Sequence, residues 1–330
     1  MKKTARASRA SCHTAPAFTN MELRMSHPSL IQPITIRLRR VVIAMALAAL
    51  CLNGVTASKQ ATNSDSLGGT YYAHDLYEIF SDQQELGRGF RTFNDNGIMG
   101  RLFTYPNSGA LNYEIASDGT FRLFSDDFDG GFSGSVGLGG QLAVFTEERT
   151  PNADPAVPDG YASLQVSVKQ GSGMNDGVFD GTYSYHALLR TASDLYQTSF
   201  GVATSSGDGR YFIIREAATV QFLSYDVASD GRIDLGPQSL INAAIVAGGE
   251  LVVNTAELGS GDDGEIPEGY RGLALYLRRF PENDAVVADF RGTYRVHQIT
   301  ADGTATPRSN VGTITAGGNG HFFGTLGGTG

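Results

Sequence analysis

The sequence predicts an all-β protein: two tandem antiparallel meander units of about eight strands each, up-and-down barrel-like, plus an incomplete third unit. Three observations predict it. Several short stretches recur in the same order at a near-constant spacing. Apolar runs of strand length alternate with two-residue turn signals. The 42 glycines, 14 tyrosines and 18 phenylalanines are the composition of sheet joined by tight turns.

Four landmarks carry the repeat. "GTYYAH" at 69–74 returns as "GTYSYH" at 181–186 and as "GTYRVH" at 292–297. "YEIASDG" at 113–119 returns as "YDVASDG" at 225–231. "GQLAVFTEE" at 140–148 returns as "GELVVNTAE" at 249–257, and "PDGYASLQVSV" at 158–168 as "PEGYRGLALYL" at 267–277. The offsets run from 109 to 112 and divide the chain into a leader (1–57), a short linker (58–66), unit 1 (67–176), unit 2 (177–288) and the incomplete unit 3 (289–330).

In unit 1 the turn signals are Asn96-Gly97, Asp118-Gly119 and Gly139-Gly140; in unit 2 they are Asp208-Gly209, Asp230-Gly231 and Gly248-Gly249. Such pairs suit type I′ hairpins, whose central residues both need positive φ. No long amphipathic helix is predicted. An eight-stranded meander with one buried face escapes exposed edges by closing on itself. The alternative is a propeller with two four-stranded blades per unit. "SDGTFRLF" echoes "GTYYAH" at half spacing, but the other landmarks do not, so the barrel is preferred.

The meander and its Gly-x-aromatic first strand resemble the lipocalin-like and avidin-like up-and-down barrels. The resemblance implies a closed barrel for each unit. Those families favour Trp in that strand, and this chain has no Trp. Glycine-rich tandem β-repeats of exported bacterial proteins are a second likeness.

The leader has a basic stretch ending at Arg40, an apolar run from Val41 to Leu52, and the small-x-small site Val55-Thr56-Ala57. This is the outline of a signal peptide cleaved before Ser58. It predicts export to the periplasm, the cell envelope or the extracellular space. The basic stretch is long, so Met21 or Met25 is an alternative start. The apolar run is too short to span a bilayer comfortably. Leu50 before Cys51 does not fit lipoprotein processing. Cys12 and Cys51, the two cysteines, both lie in the leader, so the mature chain has no thiol chemistry and no disulfide.

Eight of the 25 Lys and Arg and one of the 34 Asp and Glu lie in the leader, which leaves 17 basic and 33 acidic residues and a net charge of −16. That balance excludes nucleic acid and anionic lipid surfaces as partners. The mature chain is not expected to span a membrane.

Strand alternation sorts the repeated motif. Tyr71, Tyr183 and Tyr294 point to the core; His74, His186 and His297 point to the other face. Tyr72, His74, Tyr185 and His186 are the candidate ligand-binding residues. The histidines admit two readings: a ligand or acid–base role near neutral pH, or packing at a barrel rim with a bond to a backbone carbonyl. Packing is preferred, because duplication alone copies a residue. The three histidines belong to different units, which argues against one joint metal site.

No Gly-x-Ser-x-Gly elbow occurs, and no helix follows "GLGGQL", so neither a serine nucleophile nor a dinucleotide loop is predicted. No catalytic residue and no cofactor is assigned. The acidic turns at 125–131 and 259–269 have the oxygen chemistry for calcium but not the spacing of a known calcium loop. The long loops 149–161 and 256–270 differ in chemistry, which argues against one shared catalytic loop.

The reading that follows is an exported, non-enzymatic β-repeat protein that binds a small or glycan-like ligand, or acts as an envelope or extracellular interaction module. One alternative is a hydrolase or isomerase at a barrel mouth, with His74 or His186 beside a carboxylate or tyrosine in a pocket. Another is a structural surface protein. Its unit 3, with three strands, cannot close a barrel. It reads as truncated, as a cap on unit 2, or as a strand-addition partner through residues 290–330.

Overall fold

Each Gly-Thr-Tyr motif opens a strand, and the backbone dictates its glycine. Gly69, Gly181 and Gly292 take φ of 124°, 120° and 119°, values that side chains other than hydrogen rarely adopt. The tyrosine two residues on then points inward: Tyr71, Tyr183 and Tyr294 are all buried.

The structure is a computed structural model and describes residues 67–328 except 81–82, 95–96, 104–108, 126–127, 153–158, 194–195, 216–219, 236–240, 261–267, 280–290, 301–307 and 320. The leader 1–57 and the linker 58–66 lie outside the described residues.

Unit 1 is a closed antiparallel barrel of eight strands in chain order: β1 (Gly69–Ile79), β2 (Gln83–Phe93), β3 (Ile98–Phe103), β4 (Gly109–Ile115), β5 (Thr120–Ser125), β6 (Phe128–Gly137), β7 (Leu142–Arg149) and β8 (Tyr161–Lys169). β1 pairs with both β2 and β8, which closes the barrel and excludes the propeller alternative. The predicted turns fall between β2 and β3, β4 and β5, and β6 and β7.

Unit 2 comprises β9 (Asp180–Thr191), β10 (Tyr196–Ser206), β11 (Arg210–Arg215), β12 (Val220–Ser224), β13 (Asp226–Val227), β14 (Arg232–Asp234), β15 (Ile241–Ile245), β16 (Leu251–Leu258) and β17 (Tyr270–Arg279). They form one nine-stranded sheet whose two ends are β12 and β13. Only Tyr225 separates those ends in sequence, so they are two halves of the strand that β4 supplies in unit 1. Tyr113 and Tyr225 hold the same place, each donating its amide to a turn glycine, Gly97 at 2.6 Å and Gly209 at 2.9 Å. A 3-10 turn, Asp176–Phe179, sets Phe179 under barrel 2, against the rings of Tyr183 and Tyr225 at 4.8 and 5.0 Å.

Unit 3 is a three-stranded sheet of β18 (Arg291–Thr300), β19 (Arg308–Gly317) and β20 (Phe322–Gly328). It packs on β7 and β8 of barrel 1, so the cap on unit 2 that the sequence allowed is not what forms.

Two separate cores fill the barrels. A third core lies between the units, made from outer walls: Leu76, Leu164 and Val166 of barrel 1, Leu188, Leu273 and Leu275 of barrel 2, and Ile299 of the third sheet. Burying a leucine side chain fully is worth roughly 1.5–3 kcal/mol, so this shared core binds the units to one another. Its strands are buried on both faces, which explains the unbroken apolar run "LALYL" in β17.

Candidate functional site

The two barrel interiors are built on one register and filled with different chemistry. In barrel 1 the inward positions of β1, β2, β7 and β8 carry a buried polar network. Arg91 lies at its centre. It donates to Asp75 at 2.6 Å, Ser167 at 2.7 Å and Gln165 at 2.5 Å, and its guanidinium lies 4.5 Å from the centre of the Phe145 ring. Tyr77 donates to Asp75 at 3.2 Å. Glu147 accepts from Tyr161 at 2.9 Å and pairs with Arg149. Burial, with the Asp75 charge behind it, pushes the Tyr77 phenol well above its ordinary range, so it stays a neutral donor. Asp75, Arg91, Ser163 and Ser167 are 0% exposed. The network therefore plugs the barrel, and solvent does not reach it.

Register identifies the same positions in barrel 2. Arg91 stands across from Tyr71 as Ala203 does from Tyr183. Asp75 pairs with Gln165 as Ala187 pairs with Ala274. Glu147 pairs with Ser163 as Ala256 pairs with Gly272. Every charged or amide member of these pairs has become alanine. Two other positions move the opposite way: Ala73 becomes Tyr185 and Ser167 becomes Tyr276, whose rings lie 5.0 Å apart.

The exchange puts short side chains on the inner wall where barrel 1 has long polar ones. Ala187, Ala256, Ala274 and Asn254 keep 4%, 6%, 6% and 6% of their surface, where the barrel 1 network keeps essentially none. Asn254 replaces Phe145, and its Oδ1 is buried without a hydrogen-bond partner. Across β11, β10, β9 and β17 one row reads Arg215, Gly201, Tyr185, Tyr276. Gly201 is obligatory there: a Cβ would stand 2.0 Å from the carbonyl oxygen of Ile214. Burial raises the phenols of Tyr211 and Tyr276 while the nearby Arg215 charge acts the other way, and both remain neutral. The inner wall is thus apolar and ring-lined, with one buried acceptor that lacks a partner and with Arg215 in the same row as Tyr185 and Tyr276.

The residues singled out from the sequence are not brought together. Tyr185 is on the inner wall of barrel 2. Tyr72 and His74 are on the outer wall of barrel 1, buried against barrel 2. His186 is exposed on the outer wall of barrel 2. The rim position and carbonyl bond expected for the histidines give way to something else. His74 Nδ1 meets Thr255 Oγ1 at 3.3 Å and His297 Nε2 meets Ser135 Oγ at 2.8 Å, both across contacts between units. Burial first, then the charges of Arg91 and Arg88, lower His74 to about 3. Burial and Arg295 lower His297 to about 4. Neither His74 nor His186 meets the condition set by a histidine-driven hydrolase. Residues 126–127 and 261–267, central to the two acidic turns, lie outside the described residues.

Sequence reasoning missed Asn254, Ala187 and Ala274. A signal was present: comparing the two repeats position by position shows "LQVS" against "LALY", a polar inward pair turned small and aromatic.

Among the described residues no cluster of three or more His, Cys, Asp or Glu is arranged to hold a metal ion. Among them, too, no helix is long and apolar enough to cross a membrane.

No protein-family model matches the chain, and no curated protein matches it. A solved structure from Nostoc punctiforme, a protein of unknown function from the DUF3598 family, is similar at 9% identity and a TM-score of 0.26, over 67% of this chain and 100% of that one. The barrel architecture is defined by this chain's own strand pairing; the likeness to lipocalins and avidins in particular rests on the sequence reading.

Proposed function

We propose that this protein is an exported, non-enzymatic binding module whose ligand seat is the interior of barrel 2. One observation carries the reading: the unpartnered Asn254 Oδ1, buried in a wall of alanines and tyrosines where barrel 1 has a charged plug. A buried acceptor left without a donor costs about 1–3 kcal/mol, a cost that a bound donor would offset. The ligand class is a small molecule with a flat apolar or aromatic body to lie against Tyr185 and Tyr276 and a hydrogen-bond donor for Asn254. Export is supported by the signal-like leader, and N-terminal sequencing of the secreted protein beginning at Ser58 tests it.

Anilinonaphthalene sulfonate has an aromatic body, an N–H and a sulfonate, and serves as the probe. Saturable binding at one site per chain is expected, with Ala274→Phe weakening it about tenfold or more, 1.4 kcal/mol, and Phe222→Ser leaving it unchanged. Absence of saturable binding, or binding lost with Phe222→Ser and kept with Ala274→Phe, overturns the proposal.

A further inference from the structure

The two contacts between units obey one rule. In each, the outer wall of one unit's first two strands lies on the outer wall of another unit's last two strands. Barrel 1 presents β1 and β2 to β16 and β17 of barrel 2, and the third sheet presents β18 and β19 to β7 and β8 of barrel 1. Equivalent residues do equivalent work. Tyr72 and Arg295 occupy the same repeat position, and they bond Asp230 and Asp118, which also correspond. His74 and His297 correspond, and each bonds a hydroxyl of the accepting barrel. Glu257 and Glu148 correspond, and each takes an arginine from the presenting unit's second strand, Arg88 and Arg308. Leu76, Leu188 and Ile299 correspond, and all three enter one core.

Contacts running from unit 1 to unit 2 and from unit 3 to unit 1 are two sides of a three-membered ring. The remaining side runs from unit 2 to unit 3. Its presenting wall is in place on β9 and β10: Ser184, His186 and Leu188, with Phe200 and Val202 beside them. It is continuous with the large exposed apolar patch of barrel 2, where Phe200 is 48%, Ile214 39%, Val220 46% and Phe222 79% exposed. A contiguous apolar surface of this kind marks an interaction site. Strands equivalent to β7 and β8 are not among the described strands of unit 3.

We propose that this wall of barrel 2 is a docking site for the last two strands of a third barrel of the same repeat, the contact that closes a pseudo-threefold ring. The occupant's chemistry follows from the two accepting walls already seen. It is a Leu/Val/Thr surface with an Asp-Gly turn opposite Ser184, and it is apolar where Phe200 stands in the place that Arg88 holds in barrel 1. A second copy of this chain is a poorer occupant, because β7–β8 and β16–β17 are both already covered.

The test appends residues 220–288 after Gly330, where the repeat offset calls for them, and reads carbethoxylation of His186 by diethyl pyrocarbonate. In the unextended chain at low concentration His186 is expected to react freely. In the extended chain its rate is expected to fall about tenfold or more, as burial protects a side chain, and Phe200→Asp is expected to restore it. Added strand content with unchanged His186 reactivity overturns the proposal. So does protection of His186 in the unextended monomer, which would mean another part of the chain covers the wall. Concentration-dependent protection of the unextended chain would assign the wall to a second copy, and overturns it too. Should the graft add no strand content, residues 108–176 of unit 1 are grafted in its place, with the same outcomes.

Discussion

Tyr72 of barrel 1 donates its hydroxyl to the carboxylate of Asp230, in the Asp-Gly turn of barrel 2. The turn residue thus does two jobs. Its Oδ1 also accepts the amide of Arg232 at 3.2 Å, which shapes the hairpin. Burial tends to raise the Asp230 carboxyl, and the Tyr72 bond with Arg232 more than offsets this, holding it below its ordinary 3.8. Burial and that same bond push the Tyr72 phenol up.

Tyr72→Phe is therefore expected to destabilise the pairing of the barrels by about 1 kcal/mol at neutral pH, the usual worth of one such hydrogen bond. The Asp230 carboxyl is depressed in the folded state, so its contribution is present above 3.8 and is lost as pH falls through the folded value. Urea unfolding of both proteins at pH 7 and below pH 3.8 checks this, with the gap narrowing at the lower pH.

His74 and His297 predict acid sensitivity of the unit contacts. Both are held neutral in the fold, at about 3 and about 4, against an ordinary value of 6.5. Between 6.5 and those values the unfolded chain binds protons that the folded chain does not. Stability is then expected to fall with falling pH over that window, by on the order of 1.4 kcal/mol per unit for each histidine. Thermal unfolding from pH 7 to pH 4 reads the slope, and His74→Asn is expected to flatten it by about half. An unchanged slope in the variant would refute the assignment.

Arg91 offers a test that the duplication has itself already run. Arg91→Ala leaves Asp75 charged and buried without its cation, and a loss of about 3–5 kcal/mol is expected. The double change Asp75→Ala with Arg91→Ala reproduces the Ala187 and Ala203 pair of barrel 2, which folds on the same register. The double variant is expected to be more stable than Arg91→Ala alone. Chemical denaturation of the single and double variants gives the coupling directly.

The fold was legible because its signals are local. The Gly-Thr-Tyr glycines announce a backbone that only glycine favours, and turn pairs such as Asp118-Gly119 fall where hairpins form. Alternation placed Tyr71 and Tyr183 inside and the histidines outside. What surrounds the outside was not legible, since partners such as His74 and Thr255 lie 181 residues apart in sequence. The one available sign was apolar residues on both faces of β17, which a barrel standing alone in water would not carry. The seat in barrel 2 was hidden for a different reason. It is made by alanines, and a small residue reports nothing until the side chain it replaces is known.

Asn254 separates function from stability. In β16 its neighbours on the inner face are Val252 and Ala256, and Oδ1 has no partner. An apolar side chain of similar size removes that unsatisfied acceptor, so Asn254→Leu is expected to raise stability by about 1 kcal/mol. The same change removes the polar group proposed to orient the ligand. Affinity for anilinonaphthalene sulfonate is expected to fall severalfold, while Ala203→Ser, a polar change deeper in the barrel, lowers stability without that selective loss. Residues kept at a cost to the fold mark the sites where proteins work. Thermal unfolding and probe titration of Asn254→Leu therefore have to move in opposite directions; a variant that is both less stable and unchanged in binding would make Asn254 a structural residue.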